Sequence, residues 1–216
     1  SGKTVYLDCD IMLNDTTDWE YWGRYVYAES WEPITTFLGT FDGQGHTISG
    51  LYIHGQADKD YTNTGLFGVV GIPEEDANAK ICNVGIKASV FDLREITKRG
   101  DKIGLLAGNF LDGSASQCFA HGKIVGNNIY YYIGGLIGLL GGQKVIQYGE
   151  AIVTDCYARV DIISTSQGVL GGIVGRNEST SLNNSFAAGR GWRYGASTGS
   201  IANVYYDKQI NTTALQ

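Results

Sequence analysis

Proline and methionine are scarce in this chain, 2 and 1 in 216 residues, beside 31 glycines. That balance is unlike a helical protein, in which each interior glycine costs about 1 kcal/mol relative to alanine. Cationic side chains are also in the minority. With 16 Lys and Arg against 22 Asp and Glu the net charge is −6, so the electrostatic footprint of a nucleic-acid binder is missing. The one basic cluster, Lys98, Arg99 and Lys102, is interleaved with Glu95 and Asp101 and reads as a solvated insertion. No apolar run reaches the roughly 18 residues of a transmembrane segment. The chain opens on Ser1-Gly2-Lys3 with no leader, and that says nothing about secretion. Four cysteines, Cys9, Cys82, Cys118 and Cys156, keep no CxxC or Cys/His spacing, which argues against zinc. An aspartate-rich calcium repeat is lacking too, so no metal or cofactor is expected.

What is present is a repeat. Ile81-Cys82-Asn83-Val84, Ala115-Ser116-Gln117-Cys118, Val153-Thr154-Asp155-Cys156 and Leu182-Asn183-Asn184-Ser185 align, with weaker copies ending at Leu51 and Val204. A spacing of about 30 residues marks a stacked architecture. From each anchor the residues alternate with a period of two: Cys156, Ala158, Val160 and Ile162 inward, Tyr157, Arg159 and Asp161 outward. The same parity puts Val84, Ile86, Ala88 and Val90 inward with Lys87 and Ser89 outward, and Cys118, Ala120, Gly122 and Ile124 inward with His121 and Lys123 outward. Leu51, Val84, Cys118, Cys156, Ser185 and Val204 should form one buried column, with Cys118 and Cys156 as neighbouring reduced thiols acting as small hydrophobes. The polar residue before each anchor, Asn83, Gln117, Asp155, Asn184 or Asn203, suits a left-handed corner on every coil.

A second element follows each strand: Thr64–Gly68, Gly104–Gly108, Gly134–Gly138 and Gly171–Gly175. Its glycines read as tight corners or close backbone approach. The longer spacings place insertions at Pro73–Lys80, Phe91–Lys102 and Gly141–Glu150. The expected architecture is an all-β solenoid of about six coils in one domain. Residues 1–47 form an N-terminal cap and first coil, 48–207 the repeats, and 208–216 a tail or linker.

Trp31-Glu32-Pro33-Ile34 followed by Gly39-Thr40-Phe41-Asp42-Gly43-Gln44-Gly45-His46-Thr47-Ile48-Ser49-Gly50-Leu51 resembles the opening of bacterial GLUG-motif proteins. Gly-Gly-Leu-Ile-Gly at 134–138 and Gly-Gly-Ile-Val-Gly at 171–175 are similar to the motif itself, and Asn203-Val204-Tyr205-Tyr206-Asp207-Lys208 resembles the way such arrays close. Thr64 and Leu105 depart from it where the motif has glycine. The resemblance implies a right-handed parallel β-helix in a secreted or surface-anchored bacterial protein, often beside adhesin or peptidase modules. It implies no catalytic residue.

Candidate chemistry is thin. Ser1-Gly2-Lys3-Thr4 lacks the upstream glycine of a phosphate loop. Asp42, Gln44 and His46 read as a turn with capping side chains, and His54 and His121 have no partner at a defined spacing. Asp8 with Asp10, and Glu74, Glu75 and Asp76, do not recur in register as the carboxylates of a β-solenoid lyase would. An outward column one residue past each anchor holds Tyr52, Gly85, Phe119, Tyr157, Phe186 and Tyr205, suited to mutual stacking or to gripping an extended ligand. Tyr130-Tyr131-Tyr132 is a lesser feature.

The insert from Trp19 to Tyr27 stands outside the repeat, and Trp19, Tyr21, Trp22, Tyr25 and Tyr27 are the candidate ligand-binding residues. The alternative is a lid across the open solenoid end. The chain is therefore expected to be a non-catalytic adhesion or stalk module at a bacterial surface or outside the cell, part of a larger surface protein. Its expected partners are a glycan or a host or cell-surface protein, not nucleic acid. A carbohydrate-active enzyme, lyase or hydrolase, and a ligand-free spacer are the competing classes.

Overall fold

In a computed structural model, residues 2–24, 28–57, 61–72, 78–96, 102–126, 132–142, 150–165, 168–178, 180–191, 196–197 and 200–207 are described. Their strands pair in parallel throughout and wind into a β-solenoid with three faces. A 13-stranded sheet takes two strands from most turns, and sheets of four and six strands close the other sides. All three faces are present in four complete turns, covering residues 40–70, 80–110, 113–140 and 151–177. Partial turns at 4–37 and 181–206 flank them, in place of six equal coils.

The bend inside the large sheet is where the polar column sits. Gln44, Asn83, Gln117, Asp155, Asn184 and Asn203 all take φ between 45 and 54°. Asn and Asp reach that region at low cost because their short polar side chains bond locally. Here they also bond along the stack: Asn83 Nδ2 donates to Asp42 Oδ1 at 3.0 Å, and Asn203 Nδ2 to Asn184 Oδ1 at 3.0 Å. Asp42 Oδ1 accepts from the Gln44 amide at 2.9 Å, so these residues cap the corner as expected.

Register places Val84, Cys118, Cys156, Ser185 and Val204 in one column, the last only partly buried. Cys118 and Cys156 are buried free thiols. Leu51 does not belong to the column. Tyr52 pairs with Val90, which sets Leu51 level with Ser89, and the corner of that coil is Gln44. The false match arose because Gly50, φ 74°, makes a second bend in that coil. The next coil answers with a bulge at Ala88, φ 50°, and the Gly50 amide donates to the Lys87 carbonyl at 3.1 Å.

That bulge also corrects the alternation. Register slips between Ile86 and Ser89, so Ser89, Phe91 and Leu93 line up with the inward Gly122, Ile124 and Gly126, while Val90 and Asp92 turn outward. The motif glycines act through close approach. Gly138 has an ordinary φ, but a Cβ there would lie 2.3 Å from the Ile103 amide nitrogen of the preceding turn.

Candidate binding groove

The outer face of the large sheet presents a grid of side chains set by strand register. Phe119, Tyr157, Phe186 and Tyr205 stand in one row, with Tyr157 and Phe186 stacked at 5.7 Å and 4°. Gly85 opens this row, because the Phe119 ring occupies the place of its Cβ. Tyr52 lies outside the row, opposite Val90. His121 faces Arg159 in the next row; Val90, Lys123 and Asp161 form a third; Asp92, Val125 and Ile163 form a fourth.

Onto this grid folds the aromatic insert. Its neck is clamped by Asn14, which donates to the carbonyls of Gly50 and Glu29 at 2.9 and 3.0 Å and accepts from the Glu29 amide at 2.9 Å. Beyond the clamp a 3-10 turn, Trp19–Tyr21, lies against the strand Gly85–Leu93. Trp22, 3% exposed, packs on outward Tyr52 and Val90, its ring 5.6 Å from Tyr52 and edge-on to it. Gly23, φ 78°, rests on the Asp92 carboxylate, where a Cβ could not fit. The Arg94 guanidinium reaches the Gly23 carbonyl, and the Lys123 ammonium reaches that of Glu20. Residues 19–24 therefore lie on the side wall and not across the solenoid end, where the alternative reading of the insert put a lid.

Between insert and sheet runs an open groove of about 690 Å³. Trp19 and Trp22 form the insert side, Trp19 half-buried with its ring edge-on to His121 at 5.3 Å. Val125 and Ile163 supply an apolar edge. Five cations line the groove, Arg24, Arg94, Lys123, Arg159 and Arg190, against three carboxylates, Glu20, Asp92 and Asp161. Two of those carboxylates are taken. Arg94 holds Asp92 through two hydrogen bonds of 2.7 Å, and Arg190 holds Asp161 at 2.8 and 3.2 Å. Arg159 has no such partner among the described residues, and its charge acts on His121. Burial first, then Arg159, pushes the His121 pKa below 6.5. Lys123 is lowered as well, by burial and then by Arg24, with Arg94 adding a smaller push.

Of the aromatics singled out in the sequence, the structure brings Trp19 and Trp22 to the groove and leaves Tyr21, 55% exposed, outside its lining. Tyr25 and Tyr27 lie outside the described residues, as do Tyr130, Tyr131, Lys98 and Arg99. The sequence reading missed the charged wall and treated His121 as solitary. A signal existed, since His121 and Arg159 stand three residues past their anchors, and Lys123 and Asp161 five.

No family model matches the chain. Over 148 residues, 68% of its length, it is 31% identical to halomucin of Haloquadratum walsbyi, and that stretch is 1% of halomucin. The chain thus spans a very small part of that relative. Among solved structures, 97% of the chain superposes on 70% of a candidate immunoglobulin A1 protease from Bacteroides ovatus, with a TM-score of 0.52 and 17% identity. That likeness is one of fold alone. Among the described residues no helix is long and apolar enough to cross a membrane.

Proposed function

We propose that the chain is a non-catalytic, surface-displayed binding module of a longer secreted or surface-anchored protein, with a glycan or a partner protein held in the groove beneath residues 19–24. The observation that carries this reading is the insert itself. Residues 15–24, outside the repeat, run from the Asn14 clamp to one wall of a groove whose other walls are side chains the stack does not require. Likeness to a stretch amounting to 1% of halomucin is consistent with a module set in a much longer chain. Asp92 and Asp161, the carboxylates nearest the groove floor, are engaged by arginines and so are poorly placed as general bases.

A lyase is the second reading, favoured by His121 and Lys123, two groups held toward their neutral, proton-accepting forms. The test is an array of glycans and matrix proteins probed with the wild type and with Trp19→Ala. Selective binding that the substitution removes supports the module. A flat response leaves a spacer. Release of unsaturated product from uronic-acid polysaccharides, lost in His121→Ala, replaces it with an enzyme.

A further inference from the structure

The groove is a cationic site on an anionic molecule. The whole chain carries −6, yet the groove lining has five cations to three carboxylates. Pairing sharpens that excess. Arg94 and Arg190 are neutralised in place by Asp92 and Asp161, and they form a fixed floor. Lys123 donates to the Glu20 backbone carbonyl and makes no ion pair among the described residues, and Asp92 and Glu20 each act on its charge less than burial and Arg24 do. The Arg159 guanidinium, exposed beside His121, has no carboxylate or carbonyl partner among the described residues, and neither has that of Arg24. A guanidinium in this state offers a planar fork of donors matched to a carboxylate or a sulfate. Burial is the main cause of the lowered proton affinity at His121 and Lys123, and Arg159 and Arg24 respectively are the largest charge effects on them, each acting in the same direction.

We infer that the groove takes an acidic glycan, a chain of carboxylated or sulfated sugars, with Arg159, Lys123 and Arg24 meeting its charges and Trp19 taking the apolar face of a ring. The inference rests on the groove being a binding site, as proposed above. A volume of about 690 Å³ falls within the range of ligand sites, about 300–1,000 Å³. An acidic peptide fits less well. Of the strands that floor the groove, Gly85–Leu93 and Phe119–Gly126 have partner strands on both sides, and Tyr157–Ser164 is paired on its second side over Tyr157–Arg159, after which the Ile162 amide donates to the Arg190 carbonyl, so little strand edge is open to extend.

The probes are polygalacturonate, dextran sulfate, unmodified dextran and polyglutamate, titrated into wild type, Arg159→Glu and Trp19→Ala, with thermal unfolding of each protein measured alongside. The expected result is binding of polygalacturonate, dextran sulfate or both, weakened by added salt. Arg159→Glu, an exposed position, should cost at least tenfold in affinity without moving the melting temperature. The two acidic polymers distinguish carboxylate from sulfate. Equal binding of unmodified dextran, lost in Trp19→Ala and untouched by Arg159→Glu, overturns the acidic ligand while sparing the groove. Tighter binding of polyglutamate than of any glycan also overturns it. Binding that survives both substitutions, or none to any probe, removes the groove as a glycan site altogether.

Discussion

His121 is where the charge of the groove acts on a single titratable group. Burial and then Arg159 lower its folded-state pKa, while Asp161 and Glu20 oppose them more weakly. Below pH about 6.5 the unfolded chain therefore binds a proton that the folded one resists. Stability from this residue is fully present above that pH and is lost as pH falls toward the depressed folded value. Urea midpoints of wild type and His121→Gln between pH about 5 and 7.5 should diverge, with the wild type losing more on acidification. Equal slopes would mean that His121 does not feel the groove. Asp10, Asp15 and Asp42 are held below 3.8 by their hydrogen bonds and act only at lower pH. At this scale the sequence spoke clearly about corners: residues from Asn83 to Asn203 were recognisable as left-handed because side-chain chemistry alone selects that conformation. It said nothing of Ala88, whose positive φ follows from matching the extra bend at Gly50 in the coil below.

The insert is the element on which binding and stability separate. Trp22 is enclosed by Tyr52 and Val90, so Trp22→Ala should cost about 3–5 kcal/mol in chemical denaturation. Tyr21, exposed on the same turn, should change stability by less than about 0.5 kcal/mol when replaced by Ala. A Trp22→Ala loss below about 1 kcal/mol would mean that the insert does not dock on the wall. The insert stood out in the sequence through its aromatics, but its destination did not. That destination depends on Val90 facing outward, a consequence of the bulge that strict alternation hid. The charged wall was hidden for a related reason: Lys123 and Asp161 are 38 residues apart and become neighbours only through strand register.

Across the whole molecule, stability comes from each turn burying its inner face against the next, with residues such as Ile81, Ala115, Val153 and Leu182 stacked in line. Folding should need no ion. Melting in excess chelator is expected to match melting with calcium, and a drop of more than about ten degrees, equivalent to about 3 kcal/mol at this size, would contradict that. The fold was legible because a repeat writes its period many times over. The groove was not, because it is written once.

The large sheet runs its strands around the stack and its hydrogen bonds along it, and the groove spans three of those strands. A force applied through a bound ligand therefore acts differently in two directions. Pulled along the stack, the ladder is peeled open rung after rung, each giving way alone. Pulled along the strands, all the bonds of a rung are sheared at once and share the load. Used as a tether, the module would hold against a crosswise drag and yield to a lengthwise one.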